Sequence, residues 1–153
     1  MGRSVSAQIV IDADPATIFD VLADPAQHAL FDGSGSVKAS VSGPPRLYLG
    51  ATFSMRMRIG APYLVRNRVV EYDEDHQIGW RHVGRHIWRY QLEPGEPGEP
   101  GDGGCLVTET FDYAGAPAAW FYERGGIPER NVKGIEASLQ QLKVLVESRA
   151  RAS

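Results

Sequence analysis

Histidines are the side chains of this chain best suited to proton transfer near neutral pH, and there are four, His28, His76, His82 and His86. His82 lies two residues after Trp80, so on a β-strand the two side chains share one face. If that face is buried, His82 can act as a general acid or base. His82 and His86 flank a turn and could approach each other, but both can equally face solvent or pack against aromatic rings. We therefore predict His82 as the candidate catalytic residue and expect no metal site.

Aromatic and methionine side chains are the strongest indication of a ligand site. Such side chains adapt to flat or flexible apolar molecules, although they also fill ordinary cores. Trp120, Phe121 and Tyr122 lie between Gly115 and the pair at 125–126, an arrangement that favours a hinged gate over a cavity entrance. The candidate ligand-binding residues are Phe53, Met55, Met57, Trp80, Trp88, Tyr90, Tyr113, Trp120, Phe121 and Leu139.

Charged residues on the predicted strands give weaker indications. Arg56 and Arg58 alternate with an apolar row, so we expect both on the solvent side; the alternative is that one points inward and fixes an acidic ligand group. Glu109 and Asp112 fall on opposite faces of the last strand, which argues against a shared acid–base pair.

Covalent and phosphate chemistry are disfavoured by the motifs. The chain has no Gly-x-Ser-x-Gly segment, and its one cysteine, Cys105, adjoins a glycine pair without a neighbouring histidine. The glycine-rich segment 32–36 lacks the Gly-Lys-Ser/Thr ending and the following helix of a phosphate loop. We expect no cofactor.

The first elements are a strand and two short helices. Residues 4–11 alternate apolar and polar side chains, as a half-buried strand does. Asp14-Pro15 and Asp24-Pro25 then each combine an N-cap acceptor with a proline at the first helical position. The second helix has room for only a few residues, up to Leu30.

The middle of the chain reads as strand after strand, with short turns between the later ones. Neighbouring strands are therefore expected to pair in an antiparallel sheet of about seven strands. The polar insert 94–104 is expected to be a mobile hairpin loop. The strands are predicted within 37–41, 53–59, 63–72, 77–83, 86–93 and 105–113.

A long amphipathic helix is predicted from Pro128 to about Arg149. Its apolar residues recur at spacings of three and four, which places them on one stripe. This stripe consists of Val132, Ile135, Leu139, Leu142 and Val146. A sheet curved around that helix is the expected α+β architecture, and it leaves room for an internal pocket.

Length and composition indicate one globular domain over residues 1–153. The chain has 42% hydrophobic and 23% charged residues and a formal net charge of −3, which disfavours nucleic acid as a partner. No run approaches the ~18 apolar residues of a membrane span, so we expect no stable membrane insertion. With a single cysteine and no secretory signal at the N-terminus, a cytoplasmic location is expected.

Four segments in register resemble the polyketide cyclase/dehydrase-like family, within the START and Bet v 1-like (SRPBCC) superfamily. The opening Ile9-Val10-Ile11-Asp12-Ala13-Asp14-Pro15, with its continuation to Pro25, carries the first likeness. The other matching segments are 68–73 with 78–80, 88–93 with 103–113, and 131–147. The resemblance spans nearly the whole chain and implies a helix-grip fold, in which an antiparallel sheet holds the C-terminal helix over an apolar cavity.

The resemblance implies three kinds of function. The first is binding of a small hydrophobic molecule, such as a lipid or polyketide, with polar groups such as Arg56, His82 or Tyr113 setting its orientation. The second is a cyclase/dehydrase-type enzyme in which His82 or a tyrosine moves protons. The third is a protein-interaction module, which would carry an exposed apolar patch instead of a closed pocket.

Overall fold

The computed structural model describes residues 3–32, 37–59, 61–81, 86–95, 104–115 and 119–152. Side chains at 37–41, 57–59, 63, 119, 121–122 and 150–152 lie outside that description. The strands are β1 (Ser4–Ile11), β2 (Val37–Ser42), β3 (Thr52–Ile59), β4 (Ala61–Asp73), β5 (Gln77–Arg81), β6 (Ile87–Pro94) and β7 (Cys105–Asp112). The helices are α1 (Pro15–Leu22), a 3₁₀ turn (Pro25–Gln27), α2 (His28–Phe31), α3 (Ala119–Arg124) and α4 (Ile127–Ala152).

The strands form one antiparallel sheet of seven strands in the order β1-β7-β6-β5-β4-β3-β2. Strands β2 to β7 pair with their sequence neighbours, as predicted. β1 pairs with β7 from Ser4 opposite Asp112 to Ile11 opposite Cys105, which places the first and the last strand of the sheet side by side. With the long C-terminal helix and the short helices after β1, this confirms the α+β helix-grip fold.

The two helix starts predicted from Asp-Pro pairs are confirmed in atomic detail. The Asp14 carboxylate accepts a hydrogen bond from the Thr17 backbone N–H at 2.8 Å, and Pro15 occupies the first helical position. The Asp24 carboxylate accepts from the Ala26 N–H at 3.0 Å, which starts the 3₁₀ turn. Each cap satisfies an N–H that the helix itself leaves without a partner.

Helix α4 covers the sheet with the predicted stripe and is tied to the end of β1. Ile135, Leu139, Leu142 and Val146 are each at most 1% exposed. At the C-terminal part of the helix, the Lys143 ammonium donates to the Val10 carbonyl at 3.0 Å. Apolar burial therefore holds the helix against the sheet, and this contact fixes its position along β1.

We call the side of the sheet that packs against the helices the inner face, and the opposite side the outer face. A β-bulge between Val69 and Glu71 of β4 changes which residues face inward. Tyr72 packs against the core three residues after Val69, whereas Glu71 turns outward beside Gly79. A Cβ at position 79 would lie 2.7 Å from Glu71 Oε1, so a larger residue there would displace this carboxylate.

On the outer face, Glu71 reaches across Gly79 to Arg89 of β6. The guanidinium donates from Nε to Glu71 Oε1 at 2.6 Å and from Nη2 to Glu71 Oε2 at 2.7 Å. The same Nη2 lies 3.3 Å from Asp112 Oδ2. We call Glu71, Arg89 and Asp112 the outer ion cluster; it is a bidentate, charge-assisted arrangement that joins β4, β6 and β7.

Two regions differ from the sequence-based expectation or lie partly outside the described residues. Strand β4 begins two residues before the predicted range 63–72, so that Ala61 and Pro62 belong to it and Ile59 lies opposite Ala61. Most of the insert 94–104 is not described, although the Gly95 N–H donates to the Gly104 carbonyl at 2.9 Å. Within the described chain, no helix is long and apolar enough to cross a membrane.

Candidate ligand-binding site

Three adjacent strands bring an acidic and a phenolic side chain together on the inner face. Ile78 of β5 lies opposite Tyr90 of β6, and Tyr90 lies opposite Glu109 of β7. Residues directly opposite each other in antiparallel strands point to the same side of the sheet. Tyr90 is 3% and Glu109 4% exposed, so the carboxyl group lies in the interior of the protein.

Helix α2 adds a histidine to this layer. The His28 ring stacks on Trp80 with 4.8 Å between ring centroids, and it meets Phe53 edge-on at 5.5 Å. Trp80 in turn lies 5.7 Å from Tyr90. The Asp24 cap directs the chain into this position, because it sets where the turn before α2 begins. An unbroken series of ring contacts therefore connects α2 to β3, β5 and β6.

The tautomer of His28 follows from its one hydrogen bond. Its Nε2 lies 2.9 Å from the Leu22 carbonyl oxygen, which can only accept, so Nε2 carries the hydrogen. Nδ1 is then an acceptor, and it has no hydrogen-bond partner among the described residues. Burial lowers the pKa of His28 to about 4, so the ring is uncharged at neutral pH.

Glu109 is a buried acidic residue whose pKa is shifted upward, whereas that of His28 is shifted downward. Burial raises the pKa of its carboxyl to about 8, against the opposing effect of a hydrogen bond with Tyr90, and the nearby charge of Asp32 raises it further. The carboxyl is therefore mostly protonated at neutral pH and can donate as well as accept. Glu109 Oε1 has no hydrogen-bond partner in the described part of the chain.

Asn67 is the third buried side chain that has polar atoms without a hydrogen-bond partner among the described residues. It lies in β4 opposite Phe53, between the buried Val65 and Val69, and is 1% exposed. Neither its amide nitrogen nor its amide oxygen has a partner among the residues described. We call His28, Asn67 and Glu109 the inner polar groups.

The inner polar groups can form hydrogen bonds with a ligand, but they do not form a metal site. They offer one acceptor at His28, a donor and an acceptor at Asn67, and a donor or acceptor at Glu109, separated by aromatic rings. Such a lining suits a mainly apolar molecule with a few polar atoms. Over the described residues, no group of three or more His, Cys, Asp or Glu side chains could hold a metal ion.

Apart from Tyr113, five of the ten predicted ligand-binding residues lie buried in the hydrophobic core. Arg56 alternates with Phe53 and Met55 along β3 and is exposed, which agrees with the prediction that it faces solvent. These five residues are Phe53, Met55, Trp80, Tyr90 and Leu139, none more than 6% exposed.

Three further candidates differ in their burial. Trp88 is half-buried and packs on Phe111 at 4.9 Å. Tyr113 is buried, and its hydroxyl donates to Glu123 of α3 at 3.2 Å. Trp120 is 47% exposed, with the Arg124 guanidinium 5.8 Å from its ring centroid. His82 and the side chains of Met57 and Phe121 lie outside the described residues.

None of the inner polar groups was selected from the sequence. For two of them the signal was present: Glu109 stands between Val107 and Phe111 in a strand, and Asn67 occupies the same kind of position between two valines. A polar side chain in the apolar phase of a period-two pattern is expected to be buried. The predicted separation of Glu109 and Asp112 on opposite faces agrees with Glu109 in the core and Asp112 beside Arg89.

A separate groove of about 510 Å³ lies on the solvent side of α4, next to α2. It combines exposed apolar side chains with polar ones, and none of the predicted ligand-binding residues contributes to it. Its lining consists of Leu30, Gln140, Gln141, Val144, Leu145, Ser148 and Arg149. The groove and the inner polar groups are therefore alternative places for a ligand.

Comparisons with known proteins agree with this architecture. An uncharacterized protein of Mycobacterium tuberculosis H37Rv is 36% identical over 143 residues, which cover 90% of this chain and 62% of the relative. The chain thus spans about three fifths of that relative's length.

Among solved structures, a crystal structure of a Mycobacterium smegmatis protein superimposes with a TM-score of 0.68 at 18% identity, covering 97% of this chain and 93% of that one. A polyketide cyclase-like protein from Corynebacterium glutamicum gives 0.63 at 18% identity, covering 98% and 94%. The Aha1 dimer from Colwellia psychrerythraea gives 0.61 at 15% identity, covering 94% and 96%.

The family model described as polyketide cyclase / dehydrase and lipid transport matches residues 2–147. The match includes every strand of the sheet and most of α4. This chain therefore belongs to the polyketide cyclase/dehydrase and lipid transport family.

Proposed function

We propose that this protein binds a small, mainly apolar molecule on the inner face of its sheet, with the inner polar groups meeting the polar atoms of that molecule. The observation that carries the proposal is the set of buried side-chain atoms without partners in the described chain: His28 Nδ1, Glu109 Oε1 and both amide atoms of Asn67. Buried polar atoms in proteins nearly always have hydrogen-bond partners.

These atoms lower the stability of the folded protein unless a ligand supplies their missing hydrogen-bond partners. An unsatisfied buried donor or acceptor costs about 1–3 kcal/mol, and an apolar side chain of similar size would avoid that cost. A ligand that supplies the missing partners recovers it only in the bound state. The apolar surroundings, including Phe53, Trp80 and Leu139, would supply most of the affinity.

The test is to titrate isotope-labelled protein with N-phenyl-1-naphthylamine, an uncharged naphthalene fluorophore, and to follow its fluorescence together with backbone amide NMR shifts. We expect saturable binding at one molecule per chain, with the largest shifts at residues 78–80, 90 and 109. Shifts confined to 140–149 would assign binding to the surface groove and contradict the proposal. The absence of saturable binding would contradict it as well.

A matched pair of variants distinguishes binding on the inner face from binding in the surface groove. Val144→Gln changes an exposed residue of the groove and should leave the affinity for the fluorophore unchanged. Met55→Gln places a polar amide in the buried apolar layer and should weaken the affinity at least tenfold. A circular dichroism melting curve of each variant checks that it is folded.

A second candidate function, acid–base catalysis of the cyclase/dehydrase type, is favoured by Glu109. A buried carboxyl whose pKa is raised to about 8 can give and take a proton near neutral pH, with the Tyr90 hydroxyl beside it. Under this hypothesis Glu109→Gln abolishes turnover of a bound carbonyl compound and leaves its binding nearly intact. His82 stays a predicted alternative acid or base.

The proposal also includes the cellular setting. We infer a cytoplasmic protein whose partner is a small hydrophobic molecule. The single cysteine, Cys105, is buried and unpaired, which fits a reducing compartment.

A further inference from the structure

Building on the proposed function, we infer that the interior site selects uncharged molecules with hydrogen-bonding oxygens, such as alcohols and ketones, and rejects carboxylate anions such as those of fatty acids. The lining that carries this inference is the inner polar groups together with Tyr90 and Asp32.

Each unpartnered atom matches an uncharged group. His28 Nδ1 is an acceptor because Nε2 donates to the Leu22 carbonyl, so it requires a donor such as a ligand O–H. The Asn67 nitrogen is a donor and suits a ligand carbonyl or ether oxygen, while the Asn67 oxygen accepts from a hydroxyl. A carboxylate, like a ketone, only accepts and leaves both of these acceptors without partners, so a ketone can pair only with a donor such as the Asn67 nitrogen. What separates the carboxylate from the ketone is the negative charge that it brings into the interior.

The charges around the site oppose an anion. Burial is the main cause that raises the pKa of Glu109 and of Tyr90, and the charge of Asp32 raises both further, so a negative charge placed beside these groups meets like charge. The buried polar or charged side chains of the described residues contain no Lys or Arg; they are His28, Asn67, Glu109, Thr110 and Ser138. His28 is uncharged at neutral pH and offers no compensating charge. A buried carboxylate without a cation is strongly disfavoured.

The placement of the polar groups explains why the ligand must also be largely apolar. Phe53 contacts His28 and lies opposite Asn67, and Trp80 lies between His28 and Tyr90. The polar atoms are thus separated by aromatic rings instead of clustered at one point. A molecule that satisfies them has spaced oxygens on an apolar skeleton.

The experiment measures displacement of N-phenyl-1-naphthylamine at neutral pH by a matched set of ten-carbon compounds: 1-decanol, 2-decanone and decanoate. We expect the alcohol and the ketone to bind at least tenfold more tightly than decanoate. Equal or tighter binding of decanoate overturns the inference but leaves the proposed function in place. Failure of the fluorophore and of all three compounds to bind rejects the proposed function itself.

Two variants test the assignment to named groups. Asn67→Leu should weaken binding of 1-decanol and 2-decanone several-fold without weakening that of n-decane, because only the polar contacts are lost. Val144→Gln, in the surface groove, should change none of these affinities. If Asn67→Leu weakened the binding of n-decane and 1-decanol equally, the amide would contribute only to the shape of the interior. That result would overturn the assignment of Asn67 as a hydrogen-bonding partner of the ligand.

Discussion

The sheet carries a glutamate on each face, and the pKa values of the two carboxyls are shifted in opposite directions. On the outer face the Glu71 carboxylate is held by the Arg89 guanidinium, which lowers its pKa. On the inner face Glu109 lies among aromatic rings, where burial raises its pKa to about 8. The strands β4 and β7 supply residues both to the outer ion cluster and to the inner polar groups, so the difference in pKa comes from the surroundings of each side chain and not from the strand that carries it.

The difference separates polar groups that stabilise the fold from polar groups that stability alone does not explain. The outer ion cluster is complete within the chain, because every charged group in it meets an opposite charge. The inner polar groups are incomplete, because atoms of all three lack partners among the described residues. Local features that oppose stability in a folded protein are expected at functional sites. This contrast is the physical basis for the proposal that a ligand binds on the inner face.

The largest expected effect is a pH-dependent loss of stability that Glu109→Gln removes. Folded Glu109 keeps its proton up to about pH 8, whereas its ordinary pKa is 4.5. Between these values the folded state binds more protons than the unfolded state, so the free energy of unfolding falls as pH rises through this window. The contribution is on the order of 4 kcal/mol. Urea denaturation of wild type and Glu109→Gln from pH 5 to 9 measures it.

The comparison of these two proteins also cancels the opposite effect of His28. Its pKa is lowered to about 4 from 6.5, so its contribution to stability is lost as pH falls through that range. That slope is the same in wild type and in Glu109→Gln. Parallel stability curves for the two proteins would contradict a raised Glu109 pKa.

The next largest effect is expected from a substitution in the outer ion cluster. Replacing Arg89 by Met removes the guanidinium from Glu71 and Asp112 and leaves two carboxylates close together on partly buried strands. We expect a loss of about 2 kcal/mol in the free energy of unfolding, below the 3–5 kcal/mol of a fully buried pair. Ligand affinity should not change, since the outer ion cluster faces away from the inner polar groups. A change in affinity equal to that of Asn67→Leu would contradict the division between the faces.

A substitution on the inner face is expected to raise the free energy of unfolding instead of lowering it. Asn67→Leu removes two unsatisfied buried amide atoms and puts an apolar side chain of similar size in their place. We expect the free energy of unfolding to rise by about 1–2 kcal/mol while affinity for uncharged oxygen-bearing ligands falls. Thermal melting together with fluorophore displacement measures both. Destabilisation by a similar amount would show that the amide has a structural partner.

The smallest effect is expected where charges are exposed. Asp20 lies 2.6 Å from Arg46, but its side chain is 66% exposed and Arg46 also contacts Glu74. Asp20→Ala should change stability by less than about 1 kcal/mol. The same urea denaturation experiment detects it, and a loss larger than that of Arg89→Met would reverse the order of effects.

The sequence predicts the fold well because local rules determine most of it. The caps at Asp14 and Asp24, the apolar stripe of α4 and the alternation around Phe53 each depend on residues close in the chain. The pairing of β1 with β7 does not follow from such rules, since these strands are about a hundred residues apart.

The site is harder to predict, for two physical reasons. The bulge after Val69 reverses the alternation, so that Glu71 points outward although it shares the parity of the buried Val69. The direction of His28 depends on how the four-residue helix α2 packs against Trp80 and Phe53, which no periodicity encodes. Only Glu109 and Asn67 could have been recognised, from their positions in apolar strand rows.

The most direct measurement is a ¹³C NMR pH titration of the side-chain carboxyl carbons of Glu71 and Glu109 in the same sample. The account predicts that Glu109 titrates near 8 and Glu71 below its ordinary value of 4.5. It also predicts that 2-decanone shifts the Glu109 signal and leaves the Glu71 signal in place. Titration of both carboxyls near 4.5, or a ligand response at Glu71 alone, would contradict the proposal that the inner face keeps an uncharged carboxyl, with Oε1 unpartnered among the described residues, for a ligand.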